Sequence, residues 1–198
     1  MKNLIVNCLL VFVVVIGWTA CNSDYTPRQK GYFRIDFPKR EYVVFDKPGY
    51  PYTFEYPVYA VVNKDTSFFG DETENGYWIN IEFPRFNSRM YISYKEIGKT
   101  DFTKLVNDAF KMTFKHTSKA SEISDSLMRT PMGVTGMFFR VGGNAATARQ
   151  FYVTDSVKHF LRGALYFDAT PNEDSLGVVN DFLQEDMKHL INTLRWKQ

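Results

Sequence analysis

From Tyr77 onward the chain alternates. Tyr77, Ile79, Ile81 and Phe83 fall on one side, Trp78, Asn80 and Glu82 on the other, which predicts a strand with one face against a core. The stretch PRFNS (84–88) turns the chain, and Met90, Ile92 and Tyr94 resume the alternation, so the two segments are expected to form a hairpin. The period then changes. Phe102, Leu105, Val106, Ala109 and Phe110 stand at i, i+3, i+4, i+7 and i+8, the apolar stripe of a helix. Thr100-Asp101 supplies its cap, and Lys115-His116 places positive side chains at its end. From Glu122 the pattern is again that of strands. Met137, Phe139 and Val141 alternate with Phe138 and Arg140, and GGN (142–144) offers a hairpin turn. TARQFYVT, the turn DSVK and HFLRGALYFDA continue the meander, with Gly163 expected at a bulge or a close contact. Val179, Phe182, Leu183, Met187, Leu190 and Leu194 carry the apolar face of a last helix, expected over Ser175 to Arg195.

The first third is punctuated differently. Pro27, Pro38, Pro48, Pro51 and Pro57 place five of the eight prolines before residue 60. Segments broken that often are poor central strands, so Gly31 to Pro57 is expected to wrap over or edge the core. Tyr52 to Asn63 is expected as one strand bulged at Pro57. Strands, a helix, a meander and a second helix together predict an α+β domain: an antiparallel sheet with two main helices packed on it. This order of elements resembles the PsbP-like arrangement, a likeness of fold that carries no function.

Upstream of all this, Lys2 precedes a run, Leu4 to Ile16, that is apolar apart from Asn7 and Cys8. A basic start, a short apolar core and small residues make a secretory signal. Leu4 to Ala20 holds 17 residues, short of the roughly 20 of a spanning helix; an uncleaved anchor is the competing reading. Thr19-Ala20-Cys21 resembles the lipobox of bacterial lipoproteins, with Trp18 where an aliphatic residue is usual. The expected organisation is a lipoprotein signal peptide (1–20), a lipidated N-terminus at Cys21 with a polar leash to residue 30, and one α+β domain over 31–198. Cys8 is lost on cleavage, so no disulfide follows. Asn22 in place of an acid after the cysteine points to the outer membrane, facing the periplasm; the outer face of the inner membrane and the cell surface are the alternatives.

Charge excludes more than it suggests. The formal net charge is +2 with no block of one sign, so nucleic acid is not an expected partner. Aromatic residues make up 17% of the chain, which favours strands and leaves rings for partners. His116, His159 and His189 show no metal-ligand spacing. RVGGNAAT has no helix after it to hold a phosphate. No catalytic residue, cofactor or metal site is expected.

Two surfaces stand out as candidates for contact. In GYFRIDF, Tyr32, Arg34 and Asp36 share one side of an extended strand and Phe33, Ile35 and Phe37 the other; the first side is expected outward and the second on the core. Tyr and Arg dominate protein–protein hot spots, although Arg34 and Asp36 can equally form a local structural pair. Arg85 and Phe86 form the second surface, with Phe86 either exposed for a partner or folded back on the sheet.

The segment KGYFRIDFP (30–38), following a lipidated cysteine, together with YPYTFEYP (50–57) and FLQEDMKHLINTLRWK (182–197), resembles the gliding motility lipoprotein GldD of Bacteroidetes. The resemblance implies a membrane-anchored, non-enzymatic envelope protein supporting gliding and type IX secretion, acting with other gliding motility lipoproteins as an assembly or stability factor. The alternative expected from the residues alone is a periplasmic hydrolase or binding module for peptidoglycan or glycan.

Overall fold

The computed structural model describes residues 31, 34–68, 71–72 and 76–197, with backbone alone at 67–68 and 71–72. The signal, Cys21, the leash and Tyr32 lie outside these. The chain divides into a short unit, Met1–Arg34, and a main unit, Ile35–Gln198. Of the first, Gly31 and Arg34 are described, and both are exposed.

The main unit is built on a seven-stranded antiparallel sheet. In spatial order its strands are β3 (Val61–Lys64), β6 (Ile79–Phe83), β7 (Ser88–Glu96), β11 (His159–Phe167), β10 (Arg149–Thr154), β9 (Thr135–Gly143) and β8 (Ala120–Arg129). A two-stranded ribbon, β4 (Ser67–Phe68) and β5 (Asp71–Glu72), lies between β3 and β6 in the chain. Helix α1 (Phe102–Phe114) starts where expected: Asp101 caps it by accepting from the Lys104 N–H at 2.9 Å. Its buried Leu105 and Ala109 pack with Phe139, Tyr152 and Phe160 on one face of the sheet.

The opposite face carries the larger core. Ile79, Ile81, Phe83, Met90, Ile92, Phe138, Phe151, Val153, Leu161 and Leu165 meet Leu183, Met187, Leu190 and Ile191 of helix α2 (Glu173–Thr193). The period-two alternation of the sequence thus sorts each strand between the two cores. Gly163 is explained by a close contact: a Cβ there would lie 2.3 Å from the Phe151 ring.

The N-terminal third corrects the sequence reading. β1 (Tyr42–Phe45), β2 (Tyr52–Pro57) and β12 (Arg195–Trp196) form a second, three-stranded sheet with β2 in the middle. β2 is therefore a central strand, with Tyr52 and Phe54 fully buried. Its prolines do not interrupt it: Pro48 and Pro51 lie in the β1–β2 connection and Pro57 is its last residue. Residues 58–60 turn the chain away, so the single strand expected over 52–63 is two strands in different sheets. The last helix ends at Thr193, and Arg195-Trp196 leave it to pair with Thr53 and Tyr52.

Candidate functional site

Past Ile35 the chain is fastened to the fold by aromatic rings. Phe37 stacks on Phe182 of α2 at 4.3 Å between centroids and contacts Phe86 at 5.8 Å. Of the two placements open to Phe86, the structure gives the inward one: its ring lies against Phe37, Phe182 and Tyr59. The preceding Arg85 is exposed and donates to the backbone carbonyl of Asp36. The turn that holds both is a single 3₁₀ turn (Pro84–Phe86), closed by Asn87 in the left-handed region at φ 47°. Asp36 is exposed, and so is Ile35, whereas Phe37 is half-buried. Arg85, Asp36 and Phe86 thus come together within the main unit; Arg34 is exposed in the short unit.

A polar cluster missed at the sequence level completes this fastening. Asp186 of α2 is 2% exposed and accepts hydrogen bonds from Tyr42 (2.9 Å) and Tyr59, with Arg40 Nε at 3.5 Å. Arg40 also lies over the Phe182 ring at 4.3 Å and donates to the Phe182 carbonyl at 3.1 Å. Burial pushes the Asp186 carboxyl above its ordinary value, against the lowering effect of Tyr59, Tyr42 and Arg40. Burial, and then the bond to Asp186, pushes the Tyr42 hydroxyl up to about 12. His189 is half-buried, stacked on Tyr42 at 3.6 Å and bonded to Glu55 at 2.7 Å. The signal was an acid, Asp186, directly beside Met187 and four residues after Phe182 in an otherwise apolar stripe.

β1 and the two-residue β12 are the edges of the small sheet among the described residues. Val44 of β1 is 61% exposed and Val43 40%, an apolar pair on a strand whose outer side has no neighbour among the described residues. Such edges are sites where another chain can add.

The large sheet offers a second surface. α1 covers one face over β9, β10 and β11, while the same face of β6 and β7 presents Asn80, Glu82, Arg89 and Tyr91. Tyr91 and Tyr166 meet edge to face at 5.6 Å, and Arg89 bridges to Glu82 at 3.0 Å. With Asp168 and Phe167 they border a cavity of about 480 Å³.

The two remaining histidines are drawn into the fold. His159 is buried, bonded through Nδ1 to the Tyr94 hydroxyl at 2.8 Å and stacked on Trp196 at 4.9 Å. Burial lowers its pKa against the opposing charge of Asp155, and burial and the charge of Arg162 lower that of His116.

Residues 22–196 match the family described as "Gliding motility lipoprotein GldD". No curated protein matches the chain. Among solved structures, the cyanobacterial PsbP protein CyanoP from Synechocystis sp. PCC 6803 is similar with a TM-score of 0.43 and 12% identity, over 81% of this chain and 95% of that one.

Proposed function

The chain belongs to the gliding motility lipoprotein GldD family, and on that premise we propose that it serves type IX protein secretion together with gliding, as a non-enzymatic assembly or stability factor for other envelope lipoproteins. The observation that carries the reading is the family match, which runs over nearly the whole chain downstream of Cys21. In this reading Cys21 is lipidated and the protein sits on the outer membrane facing the periplasm. Acyl chains confine it to the membrane plane and raise its effective concentration near partners. Contact is assigned to two places taken separately: Tyr32 and exposed Arg34 in the short unit, and exposed Asp36 and Arg85 in the main unit, where Phe86 holds the turn in place from within.

The geometry supports a binding role in one further respect. The cluster around Asp186 has its donors and acceptor matched to one another, as a structural fastening does, and in the same unit exposed Arg85, a residue of hot-spot type, lies on the Asp36 carbonyl. The test is cross-linking in cells with mass spectrometry of a tagged copy, native against Arg34→Glu. Envelope lipoproteins are expected on the native protein and depleted from the variant at equal abundance. Identical cross-links in both would remove Arg34 from the contact, and none in either would end the assembly reading.

A further inference from the structure

The edges of the two larger sheets are blunted in recognisable ways, with one exception. β12 is two residues long, and β3 ends on Lys64. β8 carries Glu122, Asp125 and Arg129, with a register shift between Ala120 and Ile123. A minimal length, charged side chains and bulges all discourage another strand from adding. β1 reads Tyr42-Val43-Val44-Phe45, with no charged residue and a regular register. Val43 and Val44 are exposed, and among the described residues only β2 pairs with this strand.

The backbone decides which groups of β1 face outward. The Glu41 carbonyl accepts from the Val58 N–H at 2.9 Å, and the Phe45 carbonyl accepts from the Thr53 hydroxyl at 2.7 Å. The odd-numbered residues therefore turn towards β2. Backbone groups alternate along an antiparallel strand, so those of Tyr42, Val44 and Asp46 point away from β2. An added strand must use these groups, and the flanking charges select its register.

The segment is complementary to itself. Antiparallel pairing of two copies about a two-fold axis at Val44 sets each Val44 against the other, Val43 against Phe45, and Glu41 against Lys47. Residues directly opposite interact on one face, so the pairing has apolar contacts at its centre and opposite charges at both ends. Glu41 and Lys47 are exposed. Glu41 pairs with exposed Lys39 at 3.1 Å, and the Lys47 ammonium lies over the Phe45 ring. An axis at Val43 would set Arg40, already held by Asp186, against Asp46, but Lys39 against Lys47. An axis at Phe45 would set Val43 against Lys47 and leave Glu41 opposite Gly49. We propose that β1 is the edge through which two copies of this chain pair, in the Val44 register, joining their three-stranded sheets. So short a strand falls below the area of a standard interface. The pair is therefore weak in free solution and depends on the confinement of a lipoprotein to one membrane plane. It requires no other lipoprotein and is independent of the assembly role.

The test is oxidative trapping in membranes of cells that express the full chain with Val44→Cys. Opposed residues of a hydrogen-bonded pair stand about 5.5 Å apart at Cα, within reach of a disulfide. A reducible adduct of twice the chain's mass is expected. It should be absent from the native chain and from Val61→Cys, an exposed valine on β3 at the edge of the large sheet. Adding Glu41→Lys to Val44→Cys sets lysine against lysine at both ends and should cut the adduct about threefold or more. Adding Lys47→Glu as well should restore it. No adduct from Val44→Cys, or an equal one from Val61→Cys, would overturn the proposal. Trapping of a different protein at Val44→Cys would give β1 to another occupant and overturn it equally. An adduct indifferent to Glu41→Lys would overturn the register.

Discussion

A carboxylate buried as deeply as Asp186 loses hydration worth several kcal/mol, which Tyr42, Tyr59 and Arg40 offset. Truncating it strands two tyrosine hydroxyls and leaves Arg40 without its partner. Asp186→Ala is therefore expected to lower the unfolding free energy by about 2–4 kcal/mol, the range for unpartnered buried polar groups, measured by urea titration. The pH dependence of the same residue has a definite sign. Its folded pKa is raised, so its contribution is fully present below the ordinary carboxylate value and is lost as pH rises through the folded one. His159 works in a different window. Its folded pKa is lowered, so the unfolded chain binds the extra proton, and stability present above about pH 6.5 falls as the solution is acidified towards the folded value. Tm measured from pH 8 to 5 should decline in the native protein and decline less in His159→Gln. An identical slope in the two would mean that His159 carries no such linkage.

Among the elements, β11 shows how tightly the meander is specified. Its Gly163 lies under the Phe151 ring of the paired strand. Gly163→Ala overfills that contact and should cost about 1–3 kcal/mol; Phe151→Leu in the same chain should recover part of the loss, which separates a steric cause from a change in strand propensity. Elements set by local rules were legible in the sequence: the β6–β7 hairpin, α1 with its Asp101 cap, the three-stranded meander and the apolar face of α2. The small sheet was not. β2 gains its second neighbour from Arg195-Trp196, more than 140 residues away, and no local period announces so distant a pairing. The prolines around β2 suggested a broken segment because sequence does not tell a proline inside a strand from one at its boundary. The candidate sites follow the same division. Tyr32, Arg34 and Asp36 were visible as an alternating triplet, whereas Asp186 gains meaning only from the partners that tertiary packing brings to it.

At the scale of the whole molecule, that distant pairing ties the C-terminus of the main unit to its first strands. Trp196 pairs with Tyr52 and stacks on His159 at 4.9 Å, the Lys197 N–H donates to the Pro51 carbonyl at 2.9 Å, and the Lys197 ammonium bridges to Asp46. The last residues therefore join the small sheet to the large one through a single ring. Deleting Arg195 to Gln198 exposes one side of β2 and uncovers His159, and several hydrogen bonds worth about 0.5–1.5 kcal/mol each are lost with them. The expected result is a fall of about 2–4 kcal/mol in one cooperative transition, because β2 belongs to the same core as α2 and β6. In cells the truncated protein should still be acyl-labelled, since Cys21 is untouched, whereas Cys21→Ser should lose the label and accumulate as precursor. The pair of variants separates anchoring from folding. If cross-links to envelope lipoproteins vanish in the truncation while the lipid label persists, the folded surface makes the contact; if they persist as the fold weakens, the contact belongs to the N-terminal segment alone.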